Sequence, residues 1–310
     1  MRAVQIVEVG PRDGLQSVPT WVPTEDKVAF IRALLRAGVS RFEMGSFVSP
    51  KAIPQMKDIR DVIAGLGPLG DARPMVLVPN TRGARDAVEA GMTEIIYVVS
   101  MSESHNQSNV RRPVQQSIDD LGVLCREVDP DGKLRLRIGL ATSFDCPFEG
   151  RTPEANVLRS IEQILAIRED VELVLSDTTG FAMPDHVGGL ARQCIAQFGD
   201  RITWGFHGHD TLGFAVANVL AGHEAGLTVF DGSAAGLGGC PFAPGATGNV
   251  ATEDLIYLFH RMGVDTGIDL DLFLEAADMA ARIPNGVTGG HVRQIPRERL
   301  KLEGPRYAAE

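Results

Sequence analysis

The sequence predicts an α/β chain closed into a (β/α)8 TIM barrel with extra C-terminal helices, and three observations carry that expectation. Eight short runs rich in Val and Ile recur along the chain, amphipathic stretches lie between them, and the runs are continuously apolar rather than alternating. Continuous apolarity marks strands buried on both faces, and strands that alternate with helices form a parallel sheet. Eight units in roughly 230 residues suit a closed barrel better than a doubly wound open sheet of about five to seven strands.

The runs fall at 4–9, 41–44, 75–78, 94–99, 134–140, 171–175, 202–206 and 227–230. Helical patterns separate them, among them 25–36 and 153–167. The latter is introduced by Thr152 as N-cap and Pro153 at the first helical position, where a missing N–H costs nothing. Patterns at 252–262 and 270–282 follow the eighth run and are expected to cover that side of the barrel. After Pro284, glycine, proline and mixed charge predict a loosely ordered tail, so the catalytic domain is expected over 1–285 and the tail over 286–310. The 34 glycines and 18 prolines are spread along the chain as turn punctuation, and no second domain boundary is visible.

At 310 residues, 44% hydrophobic and 23% charged, the chain is long enough to bury a large core. A net charge of −10 gives no electrostatic footprint for nucleic acid or an anionic membrane, so neither is expected as a partner. With no signal-peptide layout and no apolar stretch near 18 residues, the expected location is cytoplasmic. Cys125, Cys146, Cys194 and Cys240 lack CxxC spacing, which argues against a zinc ribbon or a disulfide framework.

In such barrels chemistry sits where strands end. The first run ends in Arg12 and Asp13, the second holds Glu43, the sixth ends in Ser176 and Asp177, and the seventh in His207 and His209. Alternate residues of a strand share a face, so the two histidines can share a metal ion; alone they read equally well as hydrogen-bonded structural histidines. Asp13 adds a carboxylate and Asn249 an amide oxygen beyond the eighth run, a neighbour of the first in a closed barrel. Taken singly, these are an N-cap and a turn residue. Imidazole and oxygen donors without thiolate favour Mg²⁺ or Mn²⁺, although Zn²⁺ or Co²⁺ could occupy the set. Arg12 beside Asp13 is costly to bury without an anionic partner, for which an enolate oxygen and Glu43 both qualify. The run 236–249 has too many glycines to hold one shape and suits a flap. Its Cys240 is either a proton donor or a passive loop residue.

Together GPRDGLQ (10–16), SFVSPKAIPQM (46–56), HGHDT (207–211) and GLGGCPFAPGATGN (236–249) resemble the 3-hydroxy-3-methylglutaryl-CoA lyase family over almost the whole chain. Metal-dependent Claisen-type synthases form the wider group, and Leu15, where those carry an acidic residue, favours the lyase branch. The resemblance implies Asp13, His207, His209 and Asn249 as ligands of a divalent metal ion, Arg12 as enolate stabiliser and Glu43 as its support. It further implies Cys240 in proton transfer, His207 near the base, and polar positions at Asp177 and Glu253. The implied reaction is retro-Claisen cleavage of an acyl-CoA substrate, 3-hydroxy-3-methylglutaryl-CoA, to acetyl-CoA and acetoacetate, as in leucine degradation.

Departures from the family pattern bear on the acyl group. Ser17, Val18 and Pro19 remove a cation, Gly139 stands for a tyrosine and Val174 for a serine. A wider, less polar site would admit citramalyl-CoA or a longer branched homologue. A condensing synthase or aldolase is the rival enzyme; a non-catalytic metal or acyl-CoA scaffold would have no use for an arginine beside a metal. Lys51, Arg82, Arg111 and Arg112 are candidates for the CoA phosphates and read equally as surface charges. A homodimer is expected by analogy with other barrels.

Overall fold

The computed structural model describes residues 3–199, 201–239 and 248–300. Eight parallel strands form a closed ring: β1 Gln5–Glu8, β2 Arg41–Ser46, β3 Arg73–Val78, β4 Glu94–Ser100, β5 Arg135–Ala141, β6 Val171–Asp177, β7 Thr203–Gly208 and β8 Val229–Gly232. β8 returns to β1 with Gln5 opposite Val229 and Glu8 opposite Gly232, so the ring has no free edge. All eight predicted runs are strands. Six of them run one or two residues further than their apolar pattern, taking in Ser46, Ser100, Ser176, Asp177, His207 and Asp231. Parallel pairing, for example Ser176 with His207 and Asp177 with Gly208, carries these polar ends into the ladder.

Among the described residues ten α-helices surround the ring: α1 Thr24–Arg36, α2 Ile59–Leu66, α3 Thr81–Glu89, α4 Glu103–Val110, α5 Val114–Glu127, α6 Glu154–Ile167, α7 Pro184–Phe198, α8 Ala215–Ala225, α9 Thr252–Arg261 and α10 Leu270–Ala281. Most bury an apolar stripe, as α1 does with Phe30, Ile31 and Leu34, and the main core lies between these stripes and the outer strand faces. None of the described helices is long and apolar enough to cross a membrane.

Two local expectations are corrected. α6 starts at Glu154 with Pro153 in the cap position, and Thr152 does not cap it. Its hydroxyl donates instead to the Thr142 carbonyl over 2.8 Å, because the Asp145–Cys146/Gly150–Arg151 hairpin folds Thr152 back on the end of β5. Residues 286–300 are also tied down rather than loose. Gly289 N–H reaches the Ala235 carbonyl at 2.8 Å, Val292 N–H reaches Asp254 at 2.7 Å, and Val292 and Leu300 are buried.

Inside the ring the filling is split. Val7, Val9, Met75 and Val229 form a small apolar cluster separate from the main core. Beside it stand buried charges: Arg41, Glu43, Glu94, Arg137, Glu172 and Asp231. They pair in sequence through the barrel, Arg41 with both Glu94 and Glu172, and Glu172 with Arg137 at 2.5 Å. Buried charges persist only when compensated in this way.

Candidate active site

The mouth is built first by the end of β1. The Val9 carbonyl accepts from the N–H groups of Arg12, Asp13 and Gly14 at 3.1, 2.8 and 3.3 Å, closing a wide π-type turn over Gly10–Gly14. A Cβ at Gly14 would lie 2.9 Å from Ser233 Oγ and 3.1 Å from the Leu237 carbonyl, so a side chain there would crowd the turn against the chain that follows β8. Gly248 plays the same part opposite, where a Cβ would meet the Gly236 carbonyl at 2.1 Å.

Arg12 and Asp13 face one another across this turn. Arg12 Nη1 donates to Asp13 Oδ1 at 2.6 Å, and its Nε donates to Glu43 Oε2 at 2.5 Å. Burial works against the Arg12 charge, but Glu43 and Asp13 more than restore it and hold the guanidinium above its ordinary value. Gln16 Nε2 also donates to Asp13 Oδ1 at 2.6 Å, and Asn249 Nδ2 donates to Oδ2 at 2.9 Å. Burial pushes the Asp13 carboxyl up, yet Arg12 and the two histidines overcome it and hold it well below the usual carboxylate range.

Asp13, His207 and His209 bring one ligand atom each within 4.8 Å of one another, and among the described residues no other His, Cys, Asp or Glu group does so. The donor set fits a divalent cation. His209 Nδ1 and Asn249 Oδ1 are buried without a hydrogen-bond partner, an arrangement that leaves polar atoms uncompensated unless a further group meets them. His209 and Asn249 form an isolated bridge between the end of β7 and the chain after β8, which seats Asn249 beside the histidines.

The structure therefore gathers Arg12, Asp13, Glu43, His207, His209 and Asn249 in one mouth. Cys240 lies outside the described residues. Asp177 stands at the end of β6 with its carboxylate turned to backbone: Gly180, Phe181 and Ala182 N–H groups donate to it at 2.9, 3.1 and 3.1 Å. Burial raises this carboxyl despite those donors. Glu253 lies behind the loop after β8, taking the Ala235 N–H at 3.0 Å.

Sequence reasoning missed Asp231 and Arg137. Asp231 Oδ2 lies 3.1 Å from His207 Nδ1 and 3.1 Å from Arg137 Nη1. Burial raises the Asp231 carboxyl, but Arg137 and His207 bring it down to about 2; Asp231 in turn lifts His207 against the effect of burial. A signal was present at Arg137 and Glu172, charged residues within otherwise apolar runs, where burial requires a partner; Asp231 lies one residue past the eighth run.

Fold and site together define a barrel enzyme whose C-terminal mouth is furnished for a divalent metal beside a paired arginine. The HMGL-like family model matches residues 3–280, and the chain belongs to that family. It is 41% identical over 280 residues to hydroxymethylglutaryl-CoA lyase YngG of Bacillus subtilis, covering 89% of this chain and 91% of that protein. It is 38% identical over 288 residues to (R)-citramalyl-CoA lyase of Chloroflexus aurantiacus, covering 90% of each. A solved HMG-CoA lyase of Acinetobacter baumannii, in complex with coenzyme A and 3-methylmalate, superposes with a TM-score of 0.85 at 39% identity, over 90% of this chain and 92% of that one.

Proposed function

We propose that the protein is a divalent-metal-dependent carbon–carbon lyase of the hydroxymethylglutaryl-CoA lyase type, cleaving 3-hydroxy-3-methylglutaryl-CoA to acetyl-CoA and acetoacetate. The observation that carries this reading is the convergence of Asp13, His207 and His209 beside the Arg12–Glu43 pair. Family membership and the acyl-CoA lyases among its relatives support it.

Asp13, His207, His209 and Asn249 would hold the metal, with Mg²⁺ or Mn²⁺ the ions their donor set suits. Bound there, it would act as a Lewis acid on the hydroxyl and the distal carboxylate of the substrate. The protein's own groups account for the rest. A base near His207 takes the proton of the tertiary hydroxyl, the C2–C3 bond breaks, and C3 becomes the ketone of acetoacetate. The electron pair passes to the thioester as an enolate, whose oxygen Arg12 holds while Glu43 keeps the guanidinium aimed. Protonation at C2, assigned to Cys240, completes acetyl-CoA.

A second reading concerns the acyl group. Gly139 and Val174 are direct register partners inside the barrel, and Val98 pairs with Gly139 from the other side. A Cβ at Gly139 would only touch Val98 Cγ2 at 3.4 Å. This apolar wall with a missing side chain favours a bulkier 3-hydroxyacyl group, and the citramalyl-CoA lyase relative supports such breadth. A panel of 3-hydroxyacyl-CoA thioesters, with products identified by mass, tests both readings. Highest kcat/KM on 3-hydroxy-3-methylglutaryl-CoA supports the first, and highest kcat/KM on a bulkier thioester supports the second. Turnover only with an added keto acid, giving net condensation, would overturn both. A cytoplasmic homodimer is the proposed form, and sedimentation of the purified protein tests its stoichiometry.

A further inference from the structure

The charges threaded through the barrel meet at Arg137, which exposes none of its surface. Its Nη2 donates to Asp231 Oδ1 at 2.5 Å, its Nη1 to Asp231 Oδ2 at 3.1 Å, and its Nε to Glu172 Oε1 at 2.5 Å. Nη1 also lies 3.4 Å from Glu43 Oε1. Two of these carboxylates each hold a residue of the mouth with their other side: Asp231 holds His207 at 3.1 Å, and Glu43 holds Arg12 at 2.5 Å. One planar fork thus stands behind both the histidine arm and the arginine arm.

Stability alone does not require this arrangement. The same barrel interior is filled elsewhere by Val7, Val9, Met75 and Val229, and buried ion pairs are commonly replaced by apolar groups of equal volume without loss. Groups behind a metal-binding imidazole fix its ring orientation and the nitrogen it presents, and losing them typically lowers metal affinity or activity by about 10–100-fold.

We propose that Arg137 is a positioning residue of this site, acting through Asp231 on His207 and through Glu43 on Arg12, so that the metal-holding and enolate-holding arms keep one fixed spacing. This rests on the reading of the mouth given above. Asp231→Asn keeps the shape of the relay and removes its charge. Arg137→Lys keeps the charge and removes the fork. Glu94→Gln, three ion pairs from Arg137 by way of Glu172 and Arg41 and equally buried, is the structural control.

Mn²⁺ affinity of the full-length protein, measured by electron paramagnetic resonance without substrate, and kcat and KM on the thioester are compared with melting temperature. The expected result for Asp231→Asn is a 10–100-fold weaker Mn²⁺ affinity and a kcat lowered in the same range, with KM changed less. Arg137→Lys falls between it and wild type, while Glu94→Gln lowers the melting temperature alone. Folded Asp231→Asn and Arg137→Lys proteins with Mn²⁺ affinity and kcat within threefold of wild type would overturn the proposal, as would equal losses in Glu94→Gln. If Arg137→Lys does not fold, Asp231→Asn decides. Because Mn²⁺ binding is read without substrate, weakened binding in the variants beside a wild type inactive on every thioester would defeat the substrate reading and leave the positioning role standing.

Discussion

The Nε of Arg12 donates to Oε2 of Glu43 across 2.5 Å, and the two side chains are 8% and 0% exposed. The other edge of the guanidinium is taken by Asp13 at 2.6 Å, so Arg12 is clamped from two sides and points into the mouth in one orientation. An oxyanion donor that is aimed before substrate arrives has little reorganisation left to do when charge develops.

Arg12→Gln is therefore expected to lower kcat by about 10²–10³-fold while changing KM much less, since the lost interaction is made chiefly in the transition state. Stability should suffer less than activity, because Glu43 keeps Arg137 at 3.4 Å as a second cation. Steady-state kinetics beside a thermal melt check this. A variant that melts far below wild type but turns over normally when folded would contradict the assigned role.

Asn249 and His209 are expected to govern metal-linked stability. A ligand at 100 times its Kd that binds only the folded state stabilises it by about 2.7 kcal/mol, so saturating Mn²⁺ should raise the wild-type melting temperature measurably. Asn249→Ala should shrink that rise and His209→Ala should abolish it. Differential scanning fluorimetry with and without Mn²⁺ is the measurement, and an undiminished rise in His209→Ala would remove His209 from the ligand set.

Much of this was legible in the sequence. The eight strands announced themselves because a closed barrel buries both faces of each, and Asp13, His207 and His209 stood at or just past strand ends where a barrel collects its chemistry, with Asn249 in the chain beyond β8. The apolar runs stop short of the strand ends, at 175 in β6 for example, because the ladder continues through Ser176 and Asp177 by backbone pairing, which does not depend on apolar side chains. Arg137 and Asp231 were missed for a different reason. Their roles depend on which inward positions lie level around the ring, and register is a property of pairing between distant segments. Thr152 reads as a cap from its neighbours alone, yet a hairpin turns its hydroxyl to Thr142.

The carboxyls behind the loop after β8 predict a pH dependence. Burial pushes Glu253 up to about 8 and Glu8 up to about 7, from an ordinary value of 4.5. Between pH 4.5 and those values the folded protein retains protons that the unfolded chain has released, so this contribution to stability is full below about pH 4.5 and is lost as pH rises toward 8. Glu253→Gln should flatten the fall in melting temperature between pH 5 and 8, with its advantage over wild type widening as pH increases. Parallel curves for the two proteins would show that Glu253 does not titrate in this range.

The most direct test is cleavage of 3-hydroxy-3-methylglutaryl-CoA by the purified protein, assayed as isolated, after EDTA treatment, and after readdition of Mg²⁺ or Mn²⁺, with acetyl-CoA and acetoacetate both quantified. The site described predicts equal molar formation of the two products, its loss on chelation and its return with either ion. Cleavage that persists undiminished in metal-free protein, or no cleavage of this thioester or any 3-hydroxyacyl-CoA by folded, metal-loaded protein, would contradict it.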